Sequence, residues 1–228
     1  MPIWPYYLLG TLVTLALTVT TVRGALRWRS LDRGTRLVVV GVAIFTAAAY
    51  VALVLATLGQ RTRIVYEGSK LFGTVLIVAG LSRWQPRPAQ RRAVAVLAIV
   101  FAVCWAAAQW LQGVDADFST VSGPLHAMAL SVAAGITLVT QVRVSAERWT
   151  EQAWFWTSVG LMTVYGTEVV FDPFMAGVFQ IRADLVALAF YLHQFASAIG
   201  WGLVAIGVWR ATPSGQQGVE PSPWPRMA

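Results

Sequence analysis

Lysine, cysteine, histidine and acidic residues are nearly missing from this chain. Lys70 is the one lysine among seventeen Lys and Arg side chains, and one cysteine, two histidines and ten Asp or Glu accompany it in 228 residues. A single cysteine, Cys104, excludes an internal disulfide. With 12% of residues charged and 57% hydrophobic, the composition is that of a polytopic membrane protein. A soluble catalytic or kinase domain has no room in it. A basic stretch followed by a small-residue cleavage site is also missing from "MPIWPYYLLG", so the first span is expected to be a retained helix rather than a signal peptide.

What is present is apolar. Runs at 4–22, 37–57, 64–81, 93–112, 122–142, 152–171 and 185–209 each suffice to cross about 30 Å of hydrocarbon at roughly 1.5 Å per residue. Seven spans use up residues 1–210, predicting an all-α membrane protein with a seven-transmembrane-helix domain. The Pro/Gly/Gln-rich stretch 211–228 reads as a disordered cytoplasmic tail.

Short connections hold nearly all the charge. Thirteen arginines fall in odd-numbered loops and the tail (Arg23, Arg27, Arg29, Arg33, Arg36, Arg83, Arg87, Arg91, Arg92, Arg143, Arg148, Arg210, Arg226), against Arg61, Arg63 and Arg182 in the even loops. The fourth loop adds only Asp115 and Asp117. The positive-inside rule therefore predicts an outer N-terminus and a cytoplasmic C-terminus in a cell (plasma) membrane. Anionic headgroups of the lipid bilayer account for the net charge of +7 without a nucleic-acid partner.

A charge in hydrocarbon costs on the order of 3 kcal/mol, so each one needs a partner or a water-filled cavity. The polar groups inside the spans are Glu67 and Lys70 on helix three, His126 on helix five, Glu168 on helix six, and His193 with Gln194 on helix seven. With this orientation all of them fall in the outer half, with His126 and Glu168 forming an outer polar cluster. Glu67 and Lys70, three apart, share a helical face where they can pair. Such a pair either neutralises itself and fixes packing, or lines a cavity open to the outside. A proton relay across the membrane would need carboxylates or histidines in the inner half as well, where the sequence has almost none.

His126 and His193 also raise a metal site with Glu67, Glu168 or Asp172, but no two of these have the His-x-x-x-His spacing that presents a metal pair on one helical face, and no metal is predicted. Nor does any Ser-His-Asp or Cys-His arrangement propose nucleophilic catalysis, so no enzyme is predicted; Cys104 and the Ser/Thr residues read as packing and interhelical hydrogen-bonding groups. Trp4, Trp84 and Trp149 suit an interfacial belt, while the deeper Trp105, Trp156 and Trp201 suit either a core or the wall of an apolar pocket.

Seven short-looped helices at this length resemble the microbial (bacteriorhodopsin-like) rhodopsins. The openings "YYLLGTLVTLALTVTTVRG" and "LDRGTRLVVVGVAIFTAAAY" are similar to that family's first two helices. In "WTSVGLMTVYGTEV", Trp156, Gly166 and Glu168 match without a gap a stretch that runs from a pocket tryptophan to Gly-Ser-Glu. "QFASAIGWGLVAI" resembles the family's seventh helix, with Gly200, Trp201 and Gly202 in place of Gly-Phe-Gly, and "KLFGTVLIV" parallels its third.

The departures from that resemblance carry the functional expectation. The retinal-bearing lysine falls at Ala198, the counterion aspartates at Gln194 and Ser69, the organising arginine at Tyr66 and the cytoplasmic proton donor at Gly80. A proline and a second tryptophan of the sixth helix fall at Gly160 and Thr163, and a tryptophan of the third falls at Lys70. Without an amine at 198 the usual imine cannot form, so no covalent cofactor is implied there; retinal or another apolar ligand would be held non-covalently by Glu67, Lys70, Trp156, Thr163, His193, Gln194, Ala198 and Trp201. Lys70 is either the charge partner of Glu67 in a repurposed pocket or the site of a relocated imine with Glu67 as counterion. The resemblance thus implies a lysine-deficient opsin acting as a sensor, receptor or accessory protein. Its loops are too short to signal alone, so a membrane-protein partner or homo-oligomer is implied. A transporter using the outer polar cluster is the alternative from another class.

Overall fold

In hydrocarbon a backbone amide finds no water, so a chain this apolar must satisfy its N–H and C=O groups inside its own helices. The computed structural model describes residues 4–112, 121–145, 148–178 and 183–211, and of 4–7, 112, 172–178 and 183–187 the backbone only. Among the described residues seven α-helices follow one another: α1 Trp4–Leu26, α2 Arg33–Thr57, α3 Arg63–Arg83, α4 Pro88–Gln112, α5 Ser122–Val144, α6 Ala153–Val178 and α7 Ala183–Arg210. Six of them are long and apolar enough to cross a membrane. The chain is therefore a multi-pass membrane protein built as a helical bundle. In α6, Thr157, Ser158, Thr163, Thr167 and Glu168 dilute the apolar run.

Asp115, Asp117, Arg182 and the tail beyond Ala211 lie outside the described residues, as do the side chains of Asp172 and Asp184. Ala211 itself is buried, and its carbonyl accepts a 3.0 Å hydrogen bond from Arg27.

The helices outrun the apolar spans at their charged ends. α2 starts at Arg33 and α4 at Pro88, four and five residues ahead of the runs, because arginine stems extend a helix while their guanidinium groups stay in the polar layer. Pro88 opens α4 at the position where a missing N–H costs nothing. Asp32 caps α2 by accepting from the amides of Gly34 (2.7 Å) and Thr35 (3.0 Å). α2 ends in a Schellman turn: Gly59, at φ 68°, lets Gln60 N donate to Leu55 O (2.8 Å) and Gly59 N to Ala56 O (3.1 Å).

Packing closes α1, α2, α3, α5, α6 and α7 into a ring, with α4 laid against α3 and α5. Successive helices alternate in direction, so one face of the bundle gathers the α1–α2, α3–α4 and α5–α6 connections and most arginines; it is called the Arg-rich face below. Large apolar side chains such as Leu15, Ile99, Val103, Val132 and Phe195 are exposed around the outside. A water-soluble surface of this extent would aggregate, whereas a lipid-facing one has the right solvent.

Between lipid-facing helices the hydrophobic effect gives little attraction, so close packing and interhelical hydrogen bonds hold the bundle. Both are present. The backbones of α2 and α3 touch at Gly34 and Gly80: a Cβ added at Gly80 would lie 2.7 Å from Gly34 O. Those of α6 and α7 touch at Gly160 and Gly200, where a Cβ at Gly160 would lie 2.5 Å from Gly200 O. Between α1 and α2, Thr18 meets Tyr50 and Thr21 meets Thr46, each at 3.0 Å.

The Arg-rich face is fastened by a buried polar network. Asp32 also accepts from Trp84 Nε1 (3.2 Å), and Trp84 O accepts from Gln141 Nε2. Gln85, only 1% exposed, donates to Thr137 Oγ1 and accepts from Thr140 Oγ1, both at 2.8 Å. The end of α3 is thereby pinned to α2 and α5.

Candidate functional site

Helix periodicity puts Glu67, Lys70 and Thr74 on one stripe of α3, continued by the buried Ile77, Val78 and Leu81. Lys70 Nζ donates to Glu67 Oε1 at 3.2 Å, and Gln109 Nε2, from α4, donates to Glu67 Oε2 at 2.8 Å. Glu67 is 8% exposed, whereas the Lys70 side chain keeps 25% of its surface. Both carboxylate oxygens are thus occupied, one by an ammonium and one by an amide. The unit sits at the α3/α4 seam.

One turn further along α3, Thr74 Oγ1 and His126 Nδ1 share a 2.6 Å hydrogen bond whose direction follows the imidazole tautomer. Thr74 is fully buried and His126 is 4% exposed. The imidazole packs edge-on against Phe45 (centroids 5.7 Å apart) and Tyr165 (4.7 Å). Both rings in turn pack edge-on against Trp201, at 6.1 and 6.0 Å. Side chains from α2, α3, α5, α6 and α7 therefore meet in one knot at the middle of the ring. Each aromatic pair contributes about 0.5–1.5 kcal/mol beyond burial.

The remaining pocket candidates lie on the flanks. His193 stacks on Phe171, centroids 4.5 Å apart and planes 14° from parallel. With Gly166, Thr167, Val170, Ala189 and Leu192 it lines an open groove of about 350 Å³ between α6 and α7. The His193 Nδ1 is buried there without a hydrogen-bond partner. Ala198 lines a second open groove, about 460 Å³, between α1 and α7, whose other walls include Leu12, Ala16, Phe195 and Gly202. Gln194 and Glu168 are half-buried. Thr163 returns its hydroxyl to Val159 O (2.9 Å), the usual way a membrane helix satisfies a threonine. Trp156, near the start of α6, donates Nε1 to Thr150 O at 2.7 Å, at the Arg-rich end of that helix. Cys104 is exposed on α4 instead of packed between helices.

The structure brings together Glu67 with Lys70, and His126 with Trp201 through Phe45 and Tyr165. It separates Lys70 from Ala198, since the first lies at the α3/α4 seam and the second at the α1/α7 seam. Among the described residues no three His, Cys, Asp or Glu side chains cluster as a metal site. Gln109, Thr74, Phe45 and Tyr165 are additions of the fold. Gln109 alone had a sequence signal, as an uncharged polar group inside an apolar run.

No protein-family model matches this chain, nor does any curated protein or solved structure with which it was compared. Functional argument therefore rests on the site.

Proposed function

We propose that this chain is a rhodopsin-like plasma-membrane protein of sensor or accessory type, with its Arg-rich face in the cytoplasm, that holds an apolar ligand non-covalently and works with a membrane partner or a second copy. The observation that carries this reading is where the apolar space lies. The middle of the ring is filled by Phe45, His126, Tyr165 and Trp201, while His193 and Ala198 each line an apolar groove open to the side. A ligand dissolved in the bilayer reaches such grooves directly. Apolar walls with one polar group are the usual build of a site for a long hydrophobic molecule, and His193 Nδ1 supplies that group on the α6/α7 side.

A second reading, a relocated imine on Lys70, is favoured by one contact: Glu67 Oε1, at 3.2 Å from Nζ, stands where the counterion of an iminium would stand. In that reaction the amine condenses with an aldehyde and releases water. One experiment separates the two. The protein is expressed with retinal and its visible spectrum recorded before and after borohydride and after detergent exchange. A band lost on detergent exchange and unchanged in Lys70→Ala supports non-covalent binding. A band that borohydride converts to a reduced adduct on Lys70, and that Lys70→Ala lacks, replaces it with the imine. A protein that takes up neither retinal nor other bilayer-soluble apolar probes overturns the ligand-binding part of the reading.

A further inference from the structure

At the Arg-rich face, Pro86, Arg87 and Gln90 from the start of α4 and its preceding turn, and Thr140, Arg143 and Val144 from the end of α5, enclose a small pocket of about 110 Å³. That is the room of about four water molecules at roughly 30 Å³ each. It is too small for an acyl chain and suited to one compact polar group.

Its lining is one-sided in charge. Two guanidinium groups face it and no acid lines it. Among the described residues neither Arg87 nor Arg143 makes an ion pair or a side-chain hydrogen bond, in contrast to Arg27, which is spent on the carbonyls of Trp209 (2.8 Å) and Ala211 (3.0 Å). The Gln90 side chain adds a buried amide oxygen with no partner. A half turn about the terminal bond of that side chain presents its NH₂ to the same space, adding a donor. The floor is rigid: Thr140 is fixed by its bond to the buried Gln85 (2.8 Å), itself bonded to Thr137 (2.8 Å).

Two unspent planar forks, an amide and a hydroxyl around a space of this size match a tetrahedral oxyanion, the geometry guanidinium groups hold best. Basic pockets between helices at the polar layer are where headgroups bind. We propose that this α4/α5 pocket binds a single phosphate group, held between Arg87 and Arg143 and carried either by a membrane phospholipid or by free phosphate. Occupancy there would draw the ends of α4 and α5 together beside the Gln85 network.

The test uses the full chain in nanodiscs. In the lipid arm, native mass spectrometry counts molecules of phosphatidylglycerol retained from a phosphatidylglycerol/phosphatidylcholine mixture. In the free-anion arm, thermal unfolding in pure phosphatidylcholine is followed against inorganic phosphate, with chloride at matched ionic strength as reference. The expected result is one tightly retained phosphatidylglycerol or a saturable stabilisation by phosphate, and the positive arm names the source. In either arm Arg87→Gln/Arg143→Gln should weaken the effect at least tenfold, while Arg29→Gln/Arg33→Gln, which removes the same charge elsewhere on that face, should leave it within about twofold. Gln90→Leu, which keeps both arginines, should weaken it by a smaller factor. Equal losses in the two double variants, or no saturable binding in either arm, would overturn the proposal.

Discussion

The hydroxyl of Thr74 and Nδ1 of His126 lie 2.6 Å apart at the centre of the ring, joining α3 to α5 where neither side chain reaches water. Replacing Thr74 by the nearly isosteric valine leaves the imidazole nitrogen buried and unsatisfied, at a cost of about 1–3 kcal/mol. Thr74→Val is expected to lower the unfolding temperature in detergent. Thr74→Val/His126→Phe, which removes both polar partners, is expected to recover part of the loss. An unfolding temperature unchanged in Thr74→Val would show that the contact is energetically idle.

The Glu67–Lys70–Gln109 unit predicts unequal single variants. Lys70→Met leaves a carboxylate that is 8% exposed with only Gln109 as donor, and loss of one member of a buried pair costs on the order of 3–5 kcal/mol. Glu67→Gln leaves a Lys70 side chain with 25% of its surface free to turn outward, and should cost less. Glu67→Gln/Lys70→Met should lie above Lys70→Met alone. A double-mutant cycle on thermal or denaturant unfolding measures the coupling; strict additivity would contradict the pairing.

Gly160→Ala drives a methyl to 2.5 Å from Gly200 O, so α6 and α7 must separate. Overpacking of this kind costs about 1–3 kcal/mol. At Gly10 of α1 an added Cβ meets nothing within 4 Å, and Gly10→Ala should be neutral or stabilising by up to about 1 kcal/mol through helix propensity. The comparison, read by unfolding in the same detergent, separates packing from propensity.

Asp32→Ala removes the cap of α2 and the acceptor of Trp84 Nε1 together. Loss of the cap alone costs about 0.5–2 kcal/mol. Asp32→Asn keeps a side-chain oxygen for the amides and should retain most of the stability. Tryptophan fluorescence should shift in Asp32→Ala more than in Asp32→Asn.

The spans were legible because hydropathy over about twenty residues is a local property. Charged helix ends were not: Arg33, Arg36, Arg91 and Arg92 interrupt the apolar run without interrupting the hydrogen-bond ladder. Glu67 with Lys70 was legible too, since a spacing of three needs only helix geometry. Gln109 as the second donor, Thr74 as the partner of His126 and the Gln85–Thr137–Thr140 lock depend on which helices adjoin and at what depth, information that no single helix carries. Gly80 and Gly160 illustrate the gap best. In the comparison with rhodopsins they stood only for a lost proton donor and a lost proline; in the bundle each occupies a point where two backbones touch and a larger side chain has no room.

Those two backbone contacts divide the ring into units that behave differently. α2 with α3, and α6 with α7, are joined main chain to main chain, an attachment with no side chain to swing aside, so each pair moves as one rigid plank. The seams between planks are built from groups that can re-orient: threonine and tyrosine hydroxyls between α1 and α2, and the edge of an imidazole on a phenol between α5 and α6. Any change of shape in this bundle is thereby channelled into those seams, and its axis runs past His126.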